Sequence, residues 1–203
     1  MGYTITITRQ FGSLGRQIAK CLSEMLDIEY YDRDIVEETA KKLGLPVSLI
    51  SNEEESAKSA FFQMSYPLGM GTSDTQNEIF NEQVRIIKDI AEKESCIIVG
   101  RCSDYILQDK KNNINIYIYA PYETRLRNCV DILHMEKSEA KSMIAKVDKA
   151  RDSYHKTFAK FLPGDHNHKD LMINSGVLGV EGTAKVIANF VREKFDLPEE
   201  GEE

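Results

Sequence analysis

An α/β fold, with a parallel sheet of five strands covered by helices on both faces, is what this 203-residue sequence predicts. Three observations carry that expectation. Five short β-type runs alternate with longer helical patterns, the order expected of parallel strands joined by crossover helices. Two of the runs, "CIIVG" and "INIYIYA", suit central strands better than edges. A loop with two glycines follows the first run and opens directly onto an amphipathic stretch.

Taken in order, the first strand is expected over Tyr3–Thr8, where Thr and Ile alternate, and the first helix over Gly15–Leu26. A second strand, Ile28–Tyr31, leads into a helix at Asp34–Leu43, with Asp32 or Asp34 suited to its N-cap. The rhythm then breaks. From Leu45 to about Asp74 an acidic patch, Phe61, Phe62, Tyr66 and the glycine-bearing "PLGMG" read as a partly helical insertion, taken over 45–80. The helix Thr75–Lys93 carries crowded apolar positions that suit core or a homodimer contact, with core the simpler reading. Strands at Cys96–Val99 and Ile114–Tyr119 follow, then helices at Thr124–His134 and Ser138–Lys156. The stretch 146–169, which includes the loop "FLPGDHNHK", reads as a short lid. A last strand, Leu171–Asn174, and a helix, Gly182–Phe195, end in a tail, 197–203, expected to fray. The whole chain, 1–203, is expected to form one domain.

Composition excludes several classes. A formal charge of -7 argues against broad binding of nucleic-acid polymers or anionic membranes, while leaving room for a local basic pocket. No run approaches the roughly 18 apolar residues of a membrane span, and the sequence enters a strand pattern at once, without the features of a signal peptide. Cys21, Cys96, Cys102 and Cys129 lack metal-binding spacing and read as reduced thiols, which points to the cytoplasm. His134, His155, His166 and His168 make no cluster with them, so no protein metal site is expected.

The opening loop, "QFGSLGRQ", has the layout of a phosphate-binding P-loop. Gly12 and Gly15 allow the backbone N–H groups of Gly12, Ser13, Leu14, Gly15, Arg16 and Gln17 to converge on an anion, and the helix start adds its positive end. Ser13 is a further donor and Arg16 a full positive charge. Against G-x-x-x-x-G-K-[ST], Gln10 replaces the first glycine, Arg16 the lysine and Gln17 the magnesium-touching hydroxyl. Arginine still binds phosphate, with a planar fork instead of an ammonium. A plain strand–helix turn is the competing reading of this loop alone.

Three further stretches reach the same sheet edge. "YYDRD" places Asp32 and Arg33 there, as an acceptor- or metal-side carboxylate and a phosphate ligand. "VGRCSD" aims Arg101 over the edge, with phosphate binding preferred to an ion pair with Asp104 or Asp32. After the fourth strand, Arg125 and Arg127 cannot share one helix face, and Arg127 reads as solvated. Arg151 and His155, four apart on a long basic helix, face one way and suit a lid that brings charge to a moving phosphoryl group.

Together, "ITITRQFGSLGRQIAKCLSEMLDIEYYDRDIV", "IIVGRCSDYIL", "YIYAPYETRLRN", "KVDKARDSYHKTF" and "DLMINSGVLGVEG" resemble the cytidylate kinase-like family of P-loop proteins, in order and over nearly the whole chain. The resemblance implies a three-layer P-loop fold with an acceptor-binding insertion and a lid. It implies ATP and Mg2+ as cofactors, and a (d)CMP-like acceptor as the small-molecule partner. By that likeness Gly12 to Gln17 cradle the donor phosphates, Asp32 sits on the acceptor side and Arg101 grips the acceptor phosphate; Arg33, Asp104 and His155 complete the expected acceptor site. Arg16, Asp32, Arg101 and Arg151 then carry the chemistry. Two alternatives stay open: a kinase for another small acceptor, and a nucleotide-binding sensor that kept the loop without turnover.

Overall fold

The structure is a computed structural model that describes residues 2–32, 34–44 and 73–198. Five strands, β1 (Thr4–Arg9), β2 (Glu29–Tyr31), β3 (Cys96–Val99), β4 (Asn113–Tyr119) and β5 (Leu171–Asn174), form one sheet. All neighbours run parallel, in the order β2-β3-β1-β4-β5. β1 lies at the centre, with Thr4 opposite Cys96 on one side and Asn113 on the other. The chain runs out to β2 and β3 on one side of β1, then to β4 and β5 on the other. The crevice beyond the carboxyl end of β1 is therefore the topological switch point, where open α/β sheets bind ligands.

The helices are α1 (Gly15–Leu26), α2 (Asp34–Leu43), α3 (Ser73–Lys93), the short α4 (Ser103–Ile106), α5 (Tyr122–Arg127), α6 (Lys137–Phe158) and α7 (Ser175–Phe195). A π-helical turn, Asn128–Ile132, extends α5, and a 3-10 turn, His166–His168, precedes β5. α1 and α7 cover one face of the sheet. Ile5, Ile7, Ile97, Val99, Ile114, Ile116 and Ile118 meet Ile18, Leu22, Ile187 and Val191 there, all fully buried. On the other face Ile98 and Cys96 pack with Ile35, Ile86 and Ile87.

The alternating "TITIT" of β1 now has a physical meaning. Its isoleucines enter the apolar face, while Thr4, Thr6 and Thr8 are buried on the opposite side. Thr6 donates to Asn115 Oδ1 at 2.6 Å, and the Thr8 hydroxyl lies 3.2 Å from Ile116 O and 3.3 Å from Pro163 O. At Thr6 and Thr8, satisfied hydroxyls let a polar strand face be buried at small cost, while the Thr4 hydroxyl has no hydrogen-bond partner among the described residues.

The predicted strands and helices are all present, with boundaries moved by a few residues. The last helix starts at Ser175, but Gly179 (φ 67°, ψ −164°) breaks its path, so the regular run begins close to the expected Gly182. The short α4, in the turn after β3, had no periodicity to reveal it. Of the insertion expected over 45–80, residues 45–72 lie outside the described residues, as does Arg33, and 73–80 belong to α3.

Ile116→Ala, in the fully buried centre of β4, is expected to cost about 2–5 kcal/mol of stability, read as a lower urea midpoint at unchanged slope. A loss under about 1 kcal/mol would contradict this account of the core.

Candidate active site

The turn from β1 to α1 is held mainly from below, by the strand and helices around it. Gln10 N–H donates to Ile118 O at 3.0 Å, and its side-chain oxygen accepts from Ala120 N–H at 3.2 Å. Phe11 N–H donates to Asp148 Oδ1 at 2.8 Å. Arg125 Nη1 donates to Asp148 Oδ2 at 2.5 Å and lies 3.2 Å from Phe11 O. Asn128 donates to Gly12 O at 2.9 Å and Ser175 to Ser13 O at 2.8 Å. The Ser13 hydroxyl points inward and donates to Gln10 O at 2.9 Å. Ser13 is fully buried and braces the loop from within.

Gly12 (φ 78°) has a left-handed backbone, and a Cβ there would sit 2.8 Å from Arg125 O. Leu14 (φ 60°) is left-handed without glycine's freedom, and as N-cap of α1 it offers no side-chain acceptor. The first N–H groups of α1 therefore open uncapped into a cleft of ≈ 200 Å³. Arg9, Gln10, Phe11, Gly12, Leu14, Gly15, Arg16, Gln17, Leu133 and Arg151 line it. Backbone geometry and helix polarity suit this cleft to an anion.

Around the mouth of the cleft stand four arginines and one buried carboxylate. Asp32, just past β2, accepts from Arg16 Nε at 2.6 Å and lies 3.6 Å from Arg9 Nη2. Burial alone would push its carboxyl up, but Arg9, Arg16 and Arg101 together hold it below the ordinary range. Arg101 extends from a run of three left-handed residues, Gly100 (φ 81°), Arg101 (φ 58°) and Cys102 (φ 54°). Such conformations cost about 1–3 kcal/mol each for non-glycine residues and persist only where the surroundings impose them. Arg101 makes no hydrogen bond or ion pair with any described residue. Arg151 Nη1 donates to Arg9 O at 2.9 Å, and burial lowers its pKa to about 10, so it remains charged at neutral pH. Among the described residues, four guanidiniums stand around this one carboxylate beside an uncapped helix start.

Of the residues singled out in the sequence, Gly12, Leu14, Gly15, Arg16, Gln17 and Arg151 line the cleft, Asp32 and Arg101 lie beside it, and Ser13 is buried beneath it. Asp104 and His155 meet each other instead and do not line the cleft. Asp104 is buried, with Oδ1 3.0 Å from His155 Nε2 and Oδ2 accepting from Lys169 Nζ. His155 Nδ1 faces Phe161 O at 3.2 Å. Burial raises the Asp104 pKa, yet His155 and Lys169 bring it below the ordinary value. Of the two arginines on α5, Arg125 is buried beneath the loop and Arg127 is exposed. Sequence reasoning passed over Arg9, Asp148 and Lys169. Arg9 ends the alternating strand, and Asp148 stands three residues before Arg151 on one helix face, which is the signal each offered.

A model described as the cytidylate kinase-like family matches residues 4–177. The chain belongs to the cytidylate kinase-like family. A solved structure of an uncharacterized protein from Eubacterium ventriosum ATCC 27560 is 27% identical to this family member. Its TM-score is 0.71, covering 93% of this chain and 98% of that one. The shikimate kinase of Acinetobacter baumannii, solved with shikimate, shares the fold at 14% identity and TM-score 0.53, covering 96% and 95% of the two chains. A gluconokinase from Sinorhizobium meliloti 1021 does so at 9% identity and 0.51, covering 96% of each. Comparison with curated proteins returns no match. Family membership supports a kinase-type phosphotransferase on a P-loop fold. No described helix is long and apolar enough to cross a membrane.

Asp32→Asn removes the carboxylate among the guanidiniums. Stability is expected to fall by on the order of 3 kcal/mol in urea unfolding, trimmed because the Arg16 side chain is 36% exposed. Asp32 has a depressed folded pKa, so its contribution is complete above about pH 4 and is lost as pH falls through that folded value. The Asp32→Asn variant should lack this acid-side loss, and pH–stability curves identical to the parent's would count against the pairing. Asp104→Asn, which strands Lys169, is expected to cost about 3–5 kcal/mol. A variant as stable as the parent would show that the buried network contributes little.

Proposed function

We propose that the chain transfers the terminal phosphoryl group of ATP to a phosphate-bearing acceptor of the (d)CMP type. The observation that carries this reading is the gathering of Arg9, Arg16 and Arg101 about Asp32, the one carboxylate they share among the described residues, at the mouth of the phosphate nest. A hydroxyl acceptor needs one cationic site for the donor. An acceptor that is itself a phosphate monoester needs a second, and Arg101, without an ion-pair partner among the described residues, suits it. The Arg101 fork can take two phosphate oxygens side by side.

In this reading the uncapped N–H groups of α1 and the Nη atoms of Arg16 hold the donor phosphates, while Arg16 Nε keeps Asp32. Lysine, with a single ammonium, has no such second face. Arg101 orients the acceptor phosphate and Arg151 faces the group in transit. An acceptor oxygen forms a bond to the γ-phosphorus as the bond from that phosphorus to the β-bridging oxygen breaks, and ADP leaves with the electron pair. Such transfers need little from the protein beyond alignment and charge neutralisation.

Magnesium, which the family implies, finds no direct protein ligand set among the described residues. Gln17 replaces the hydroxyl, both Asp32 oxygens face arginines, and both Asp148 oxygens serve the loop. Among the described residues, no group of three His, Cys, Asp or Glu gathers elsewhere. The residues do not fit a protein-ligated ion, so neutralisation within the site falls to the arginines.

A sensor that binds nucleotide without turnover is the second reading, favoured by Gln17 in the hydroxyl's place. One experiment separates them: ADP formation from Mg-ATP with rising CMP, dCMP and UMP, with binding followed by calorimetry. Saturable acceptor-dependent turnover is expected, and tight binding with none would overturn the kinase reading. Arg101→Ala should lose acceptor binding by roughly ten-fold or more while sparing ATP. Equal loss of both ligands would refute the division of roles.

A further inference from the structure

Arg9 has no role in the reading above, yet it is the most constrained charge in the site. Its side chain is only 10% exposed and lines the cleft. Nε has no hydrogen-bond partner, and the only ion pair of the guanidinium among the described residues is the long 3.6 Å approach to Asp32. Asp32 is already held by Arg16 at 2.6 Å.

The backbone has been cleared to admit this one side chain. A Cβ on Gly15, in the donor loop, would lie 2.8 Å from Arg9 Cβ and 2.9 Å from Cγ. A Cβ on Gly100, in the acceptor-side turn, would collide with Arg9 Nη1. The stem thus lies along the phosphate nest and the guanidinium on the Arg101 turn. Arg9 bridges the two halves of the site.

We propose that Arg9 is a phosphate-contacting residue, one that donates from Nε and its free edge to the phosphoryl group between donor and acceptor. The proposal deepens the kinase reading, because that reading supplies the bridged anion. Electrostatics agrees with the geometry. Burial first, then Arg151, with Arg16 and Arg101 adding to them, pull the Arg9 pKa well below its ordinary value, against the opposing effect of Asp32. A base whose charged form is disfavoured in the folded state weakens the fold, so the unliganded protein carries this charge at a cost. A multiply charged anion removes that cost.

The test needs no turnover. Inorganic triphosphate, which matches the donor's phosphate chain, is titrated calorimetrically into the parent, Arg9→Met and Arg9→Lys proteins, and each is melted without anion. Arg9→Met is expected to melt at or above the parent temperature while its triphosphate affinity falls by roughly ten-fold or more, with Arg9→Lys between. A merely structural arginine gives the reverse: a lower melting temperature with affinity kept.

Parent-like affinity in Arg9→Met, or no triphosphate binding by the parent, overturns the proposal. If both affinity and melting temperature fall in Arg9→Met, the lysine variant decides. Affinity that returns in Arg9→Lys while melting stays low supports the contact, and affinity that tracks melting in both variants refutes it. Triphosphate binding that needs Arg9 in a protein that phosphorylates no acceptor would sink the kinase reading alone.

Discussion

One carboxylate among four guanidiniums governs the architecture of this site. Asp32 sits at the end of β2, two strands away from β1, and its partners come from β1, from the first turn of α1 and, by longer reach, from the turn after β3. Like charges this close in a water-poor crevice repel strongly, because the screening available at a surface is reduced. The fold must hold them by other means. It does so with packed isoleucines under the sheet and with a loop anchored by Asp148, Arg125, Asn128 and Ser175.

The two backbone irregularities have a shared cause. Leu14 opens α1 in a left-handed conformation without a cap, and Arg101 and Cys102 follow Gly100 in the same conformation. Both disfavoured segments lie at strand ends that face the cleft. Local strain at these points is the counterpart of an arrangement that leaves donors unpaired and aims a guanidinium away from protein partners. The buried Asp104–His155–Lys169 set then fixes the far side of the Arg101 turn to the end of α6. A charge set of that kind specifies one arrangement more than it adds stability.

How much of this could be read from residues alone depended on the range of the signal. Strands and helices announce themselves by period, so β1 through β5 and the long helices were legible, and the two-glycine turn marked the nest. Asp32, Arg16 and Arg101 stood out because charged residues beside strand ends are conspicuous, and Arg151 because it shares a basic helix face with His155. Arg9 did not, since a terminal arginine on an alternating strand also reads as its solvent-facing end. Asp104 and His155 look like site residues in sequence, and only the packing of α4 against the end of α6 turns them toward each other and Lys169. Such pairings span 51 and 65 residues of chain and have no local pattern. The turn at Ser103–Ile106 is too short for any periodicity to declare it.

The bolt between α4 and α6 has one more consequence. Arg101 stands three residues before Asp104, and Arg151 stands one helical turn before His155. Locking Asp104 to His155 therefore fixes the spacing of the two arginines before any ligand arrives. The backbone freedom between the two arginine-bearing segments is lost when the chain folds, so less remains to be ordered later. Their separation is a gauge whose width is set by the core.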